Sequence, residues 1–194
     1  MTDRQVWVLT GGNGAGKSTF YQRFLAPGGL PFINADILAR NMDAKNAEAL
    51  SYDAALMAGR LRSELLARGV SFCFETVFSH PSKIDFIAEA KSRGYQVILI
   101  YIHLLSAELN QARVIQRVTE GGHNVPPEKI TQRIPRTMQN VKQALPLTDI
   151  TRFYDNSLHD QPYQPIADVR NHTLTPLVDP LPEWARLMLM DYLV

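Results

Sequence analysis

The chain has 194 residues and a formal net charge of +1, long enough for one well-buried core and too evenly charged for a strong overall field toward nucleic acid or an anionic membrane. Its single cysteine, Cys73, excludes an intramolecular disulfide. The longest apolar run, residues 97–105, is too short to span a bilayer and contains His103. The expectation is one domain over residues 1–194 in a reducing, cytoplasmic compartment, with no membrane partner.

In chain order, Gln5-Val6-Trp7-Val8-Leu9-Thr10 is a β-branched and aromatic run that predicts a buried strand, and residues 18–25 predict a helix. Between them, Gly11-Gly12-Asn13-Gly14-Ala15-Gly16-Lys17-Ser18-Thr19 fits the phosphate-binding loop pattern G-x-x-x-x-G-K-[ST] in the strand-to-helix context that pattern requires. Its glycines permit positive φ, so that backbone N–H groups converge on phosphate oxygens at the positive end of the following helix. Lys17 is the expected contact of the β- and γ-phosphates, and the Ser18 hydroxyl the expected Mg²⁺ ligand. ATP and Mg²⁺ are therefore the cofactors to look for.

The turn Pro27-Gly28-Gly29 introduces a second strand over residues 30–34, which runs into Asn34-Ala35-Asp36. Residues 44–68 carry apolar side chains at helical spacing and predict one or two helices, stopped by Gly69. A third strand over residues 70–74 is followed by Glu75-Thr76. Residues 81–93 predict a helix, and the near-continuous apolar run of residues 95–103 suits a strand in the middle of a parallel sheet. Ser106 caps a helix reaching about residue 119. The break Gly121-Gly122-His123-Asn124-Val125-Pro126-Pro127 separates it from helical spacing over residues 128–144, with Pro135 as a kink. A fifth strand over residues 150–154 ends at Asp155-Asn156-Ser157. The stretch from there to Pro182 is poor in helix signals, and a last helix covers residues 183–193. Alternating strands and helices predict a P-loop NTPase fold of three α/β/α layers, with a mostly parallel five-stranded sheet and a helical lid at about residues 113–140. Ligands in such sheets bind beyond the carboxyl ends of the strands.

Phosphoryl transfer needs reactants held in line, charge on the γ-phosphoryl neutralised, and a carboxylate beside the attacking hydroxyl. Asp36, after the second strand, is the candidate carboxylate; it is also placed to cap the helix that follows. Glu75 follows four residues of buried type, where a carboxylate needs a cleft or a partner. It is read as an acceptor for substrate hydroxyls or an outer Mg²⁺ contact, or as a strand-end carboxylate paired with arginine, and Thr76 shares either role. Arginines outnumber lysines 14 to 6, and Arg113, Arg117, Arg133 and Arg136 flank the break. A guanidinium fork matches phosphate oxygens, so this region reads as a mobile lid that brings arginine to the γ-phosphoryl on closure; a solvated helix face is the other reading of each. His123 reads as a loop hydrogen-bonder, because no second His or Cys stands at ligand spacing.

Together, the glycine-rich loop, Phe-Ile-Asn-Ala-Asp at residues 32–36, Phe-Glu-Thr-Val-Phe-Ser at 74–79, Gly-Gly-His-Asn-Val-Pro at 121–126 and Tyr-Asp-Asn-Ser at 154–157 resemble the zeta toxin-like P-loop kinases. The resemblance spans about residues 5–157, and its most specific piece is Glu120 to Pro126 followed by Arg133 and Arg136. It implies an ATP-dependent kinase acting on a hydroxyl of a small acceptor such as a UDP-amino sugar. It further implies Asp36 as base, Lys17 with Arg117, Arg133 or Arg136 on phosphates, Arg40, Glu75 and Thr76 toward the acceptor, and an antitoxin-like protein partner. The chain departs from the family where Asp36-Ile37-Leu38-Ala39-Arg40 lacks the aromatic residue and the arginine spacing that follow the aspartate in the toxins.

Two other readings use the same loop. An ATPase or nucleotide switch serving a protein partner would carry a Leu-Ser-Gly-Gly-type signature or a strand ending in an Asp-Glu pair, and neither occurs. A nucleoside or polynucleotide kinase needs, in its polynucleotide form, several cationic backbone contacts, against which the near-neutral charge argues.

Overall fold

The computed structural model describes residues 4–44, 46–119, 122 and 124–193. The predicted strand, loop and helix at the start of the chain form β1 (Gln5–Gly11) and α1 (Lys17–Phe20), the latter continuing as a wide turn over Tyr21–Leu25 and a tight one over Ala26–Gly28 that contains Pro27. The chain then forms β2 (Phe32–Ile33), α2 (Ala35–Met42), α3 (Ser51–Ala67), β3 (Phe72–Thr76), α4 (Ser82–Ser92), β4 (Gln96–His103), α5 (Ala107–Thr119) and α6 (Pro127–Ala144). It ends with β5 (Ile150–Asp155), β6 (Gln164–Arg170), β7 (Thr173–Pro176) and α7 (Glu183–Leu189).

These strands make one sheet in the order β2-β3-β1-β4-β5-β6-β7. The first five are parallel, as helical crossovers between successive strands require. The sheet has seven strands rather than the expected five: β6 and β7 add an antiparallel edge in the stretch that showed no helix signals. Pro165 inside β6 and the register shift opposite Phe153 and Tyr154 weaken the alternation by which a strand is read from sequence. The two strands are joined at Asn171 and His172, both at positive φ (46° and 65°), the twist that two-residue hairpin turns need.

Each central strand is buried on both faces. On one face Val6, Val8, Phe72, Phe74, Val97 and Leu99 pack against side chains of α3, α4, α6 and α7. On the other, Leu9, Cys73, Ile98, Ile100 and Ile102 pack against Phe20, Tyr21 and Tyr163. Val6, Val8, Phe72 and Phe74 are all 0% exposed, so each contributes about 2 kcal/mol of transfer energy. Cys73, also 0% exposed, is a core residue whose thiol burial pushes well above its usual range. Helix α6 passes through Pro135 without interruption. Among the described residues no helix is long and apolar enough to cross a membrane.

Candidate active site

The parallel strands end on a common edge, and β1 runs there into the glycine-rich loop. Gly14 and Gly16 take φ of 77° and 92°, which L side chains resist. A Cβ on Gly14 would lie 2.7 Å from the Asn110 carbonyl oxygen, and one on Gly16 would lie 2.6 Å from Asn156 Nδ2 and 2.8 Å from the Tyr163 hydroxyl. The close neighbours are the loop's buttresses. Asn110 donates to the Asn13 carbonyl, Asn156 Nδ2 to the Ala15 carbonyl at 2.9 Å, and the Tyr163 hydroxyl to the Gly16 carbonyl at 2.8 Å. Arg113 Nη2 donates to the Asn156 carbonyl at 2.8 Å, so this arginine braces the loop's support. With carbonyls tied outward and no side-chain cap on α1, the first amides of the helix are left for an anion.

Lys17 folds back over the loop. Its Nζ donates to the carbonyls of Gly11 at 3.0 Å and Gly12 at 2.9 Å and stands 3.6 Å from Glu75 Oε1. Burial pulls its pKa below the ordinary lysine range against the opposing pull of Glu75 and Asp36. Glu75 lies inside β3, not beyond it, and its Oε2 accepts from Ser18 Oγ at 2.6 Å and from Asn34 Nδ2 at 2.7 Å. Of the sequence readings of Glu75, the pairing with arginine does not describe its neighbours: Ser18, Asn34 and Lys17 do, so it stands with the phosphate loop. Thr76 turns to the other face, where its Oγ1 accepts from the Phe78 amide at 3.0 Å.

Asn34, not Asp36, caps α2: its Oδ1 accepts from the amides of Asp36 at 2.8 Å and Ile37 at 3.2 Å. The Asp36 carboxylate is thereby free of the capping role and acts on Lys17 electrostatically. Asn34 was visible in the sequence only as a polar residue at a strand end; its double role follows from the turn into α2.

A cavity of about 690 Å³ lies over this edge. Asn13, Lys17, Asp36, Glu75, Arg117 and Arg133 all line it. Arg133 Nη1 reaches Asn13 Oδ1 at 3.4 Å, and Arg117 is close enough to lower the Lys17 pKa by its charge. Both arginines thus already stand at the cleft. Arg40 and Arg136 are exposed and do not line it; one-dimensional spacing places them on helices but does not say which face turns inward. Thr76 lines the cleft, as do Arg62 of α3 and Lys83 of α4, which the sequence reading passed over. The signal for Arg62 was its place on one helical stripe with Ala55 and Ala58. Glu120, Gly121 and His123, part of the most specific family motif, lie outside the described residues.

The donor set suits magnesium. Mg²⁺ binds through one or two oxygen side chains together with substrate phosphates and water, and Ser18 Oγ and the Glu75 carboxylate meet at 2.6 Å beside the loop. Among the described residues no cluster of three His, Cys, Asp or Glu forms an all-protein metal cage.

The zeta toxin family model matches residues 31–163 of the chain. A protein of Haemophilus influenzae described as uncharacterized is 29% identical over 140 residues, covering 69% of this chain and 99% of its own. Among solved structures, the AvrRxo1-ORF1:-ORF2 complex with ATP superposes with a TM-score of 0.72 at 17% identity, covering 95% of this chain and 62% of its own. The PezAT chromosomal toxin–antitoxin system of Streptococcus pneumoniae superposes at 0.69 with 16% identity, over 98% of this chain and 85% of its own. A putative kinase of Chloroflexus aurantiacus does so at 0.62 with 20% identity, over 83% and 92%. The chain spans 61 to 62% of the AvrRxo1-ORF1 structures that it matches. With the family's model covering more than half of its length and the same three-layer architecture recurring in its structural neighbours, the chain belongs to the zeta toxin family and has the fold of the P-loop kinases.

Proposed function

We propose that the chain is an ATP-dependent kinase that transfers the γ-phosphoryl group to a hydroxyl of a small acceptor, residues 1–194 forming one kinase domain in which residues 113–140 act as the lid. The observation that carries this reading is one cleft lined by Lys17, Asn13 of the phosphate loop, Asp36, Arg117 and Arg133. ATP held there supplies the phosphoryl group; Ser18 and Glu75 would hold Mg²⁺, which would offset the charge of its phosphates. Asp36 accepts the proton of the acceptor hydroxyl as the oxygen attacks phosphorus; the bond to the bridging oxygen breaks, and ADP departs with that electron pair. Lys17, Arg117 and Arg133 hold the transferring group in line and neutralise the charge that builds on its oxygens.

An acceptor panel of nucleotide sugars, nucleosides and small polyols, followed by coupled ADP release, tests the reading. Asp36→Asn is expected to lower kcat by about 10² to 10⁴ while leaving nucleotide affinity unchanged. An unaltered kcat removes Asp36 as base, and ADP release that never depends on an alcohol removes the kinase assignment. On the likeness to the PezAT system the proposal extends to an antitoxin-type protein partner, supported by exposed apolar side chains on the adjacent helices α2 and α3, among them Ile37, Met42, Leu56 and Met57.

A further inference from the structure

The cleft has a second end that the phosphate chemistry leaves unused. Arg62 lays its guanidinium over the ring of Phe74, 5.0 Å from the centroid, and beside that of Phe86, at 5.5 Å. Its Nε is shielded from solvent and has no hydrogen-bond partner. Phe74 belongs to the core on the face of the sheet away from α1, so Arg62 reaches the cleft from that face. Lys83, half-buried in the first turn of α4, lines the same end and donates to Ser82 Oγ at 3.4 Å.

Among the described residues, neither cation has a carboxylate within ion-pair distance. The carboxylates lining the cleft are Asp36 and Glu75, engaged toward Lys17, and Glu48, exposed ahead of α3. Two half-buried cations side by side oppose folding unless something supplies the missing charge. Burial pulls Arg62 below its ordinary range; burial, and then the charge of Arg62, do the same to Lys83. Stacking on buried phenyl rings fixes the plane of the guanidinium and leaves its N–H edge for a planar or tetrahedral oxyanion.

We infer that Arg62 and Lys83 form an oxyanion-binding end of the acceptor site, so that the acceptor is an alcohol bearing a phosphoryl or carboxylate group remote from the hydroxyl offered to Asp36. The binding of an anion there is independent of the kinase reading above; that its bearer is the phosphate acceptor rests on that reading. Both residues would act as specificity determinants, touching the acceptor but not the reacting atoms.

The test begins with the phosphate loop filled by Mg²⁺ and a non-hydrolysable ATP analogue. Hydrogen phosphate and, separately, malonate are then titrated by calorimetry. At least one of the two is expected to bind at one further site, and the tighter of them names the anion class. Arg62→Gln and Lys83→Gln are each expected to weaken that binding about 10- to 100-fold, Arg62→Lys to retain part of it, and all three to keep the parent's nucleotide affinity. Lys83 is a half-exposed first-turn residue, so its variant stays informative if Arg62→Gln misfolds. Absence of a further anion site, or binding unchanged in both glutamine variants, overturns the inference.

A second arm measures ADP release with matched alcohols: nucleoside monophosphate against nucleoside, and aldonate against aldose. The anionic members are expected to be preferred, with KM raised about 10- to 100-fold by Arg62→Gln and kcat little changed. Equal kcat/KM for neutral members overturns the inference and leaves the kinase standing. Anion binding that the variants abolish, with no alcohol phosphorylated, upholds the site and overturns the kinase instead.

Discussion

Replacing Glu75 by glutamine removes one charge from the phosphate end of the cleft and little else. The side chains of Lys17 and Glu75 are 6% and 13% exposed and stand 3.6 Å apart; at an effective dielectric of about 20 their attraction is about 5 kcal/mol. Glutamine still offers an oxygen to Ser18 Oγ and Asn34 Nδ2, and Lys17 keeps the carbonyls of Gly11 and Gly12. Part of the lost attraction is regained as Lys17 leans on Asp36. The expected net loss is therefore at the low end for a broken buried pair, about 3 kcal/mol. Urea unfolding followed by Trp7 and Trp184 fluorescence measures it. The deficit should fade at alkaline pH, because burial already draws the Lys17 pKa downward and a neutral amine has no counter-charge to lose. Nucleotide added without metal should also narrow it, since phosphate oxygens then supply the missing charge. A variant within about 0.5 kcal/mol of the parent at neutral pH, the range of an ordinary surface change, would refute the assignment of Glu75 as the lysine's counter-charge.

The Asp36→Asn loss and the Arg62 and Lys83 measurements described above join two further expectations. His103, 7% exposed and stacked on Trp184 with centroids 4.2 Å apart, is lowered by burial to about 4, against an opposing pull from Asp155. Its folded pKa lies below its unfolded one, so its contribution of about 3 kcal/mol is complete above about pH 6.5 and disappears as pH falls through about 4. His103→Gln should lack that step in unfolding free energy; the same acid slope in both proteins would contradict it. Gly16→Ala should cost about 2 kcal/mol and at least tenfold in nucleotide affinity, since its Cβ at φ of 92° would displace the Asn156 and Tyr163 contacts that hold the loop. Retained affinity by equilibrium dialysis would show that those contacts do not shape the phosphate site.

What the sequence determined by itself was everything written in neighbouring residues: the phosphate loop between its strand and helix, the five parallel strands, the helix positions, and the polar strand ends from Asn34 to Asp36. Loop conformation and helical or strand periodicity are local, so their record is local. The antiparallel β6–β7 edge escaped because Pro165 and a register shift blur a short strand whose partner, not its own pattern, stabilises it. The tertiary structure alone decided which way each candidate faces. Glu75 meets Ser18 across 57 residues, Asn156 reaches Ala15 across 141, and Tyr163 reaches Gly16 across 147. Arg117 and Arg133 turn into the cleft while Arg40 and Arg136 turn out. Such meetings depend on the order in which the crossovers lay strands side by side, and on helix rotation over the sheet. Neither is encoded within any one segment, because both are set by the packing of all the segments at once.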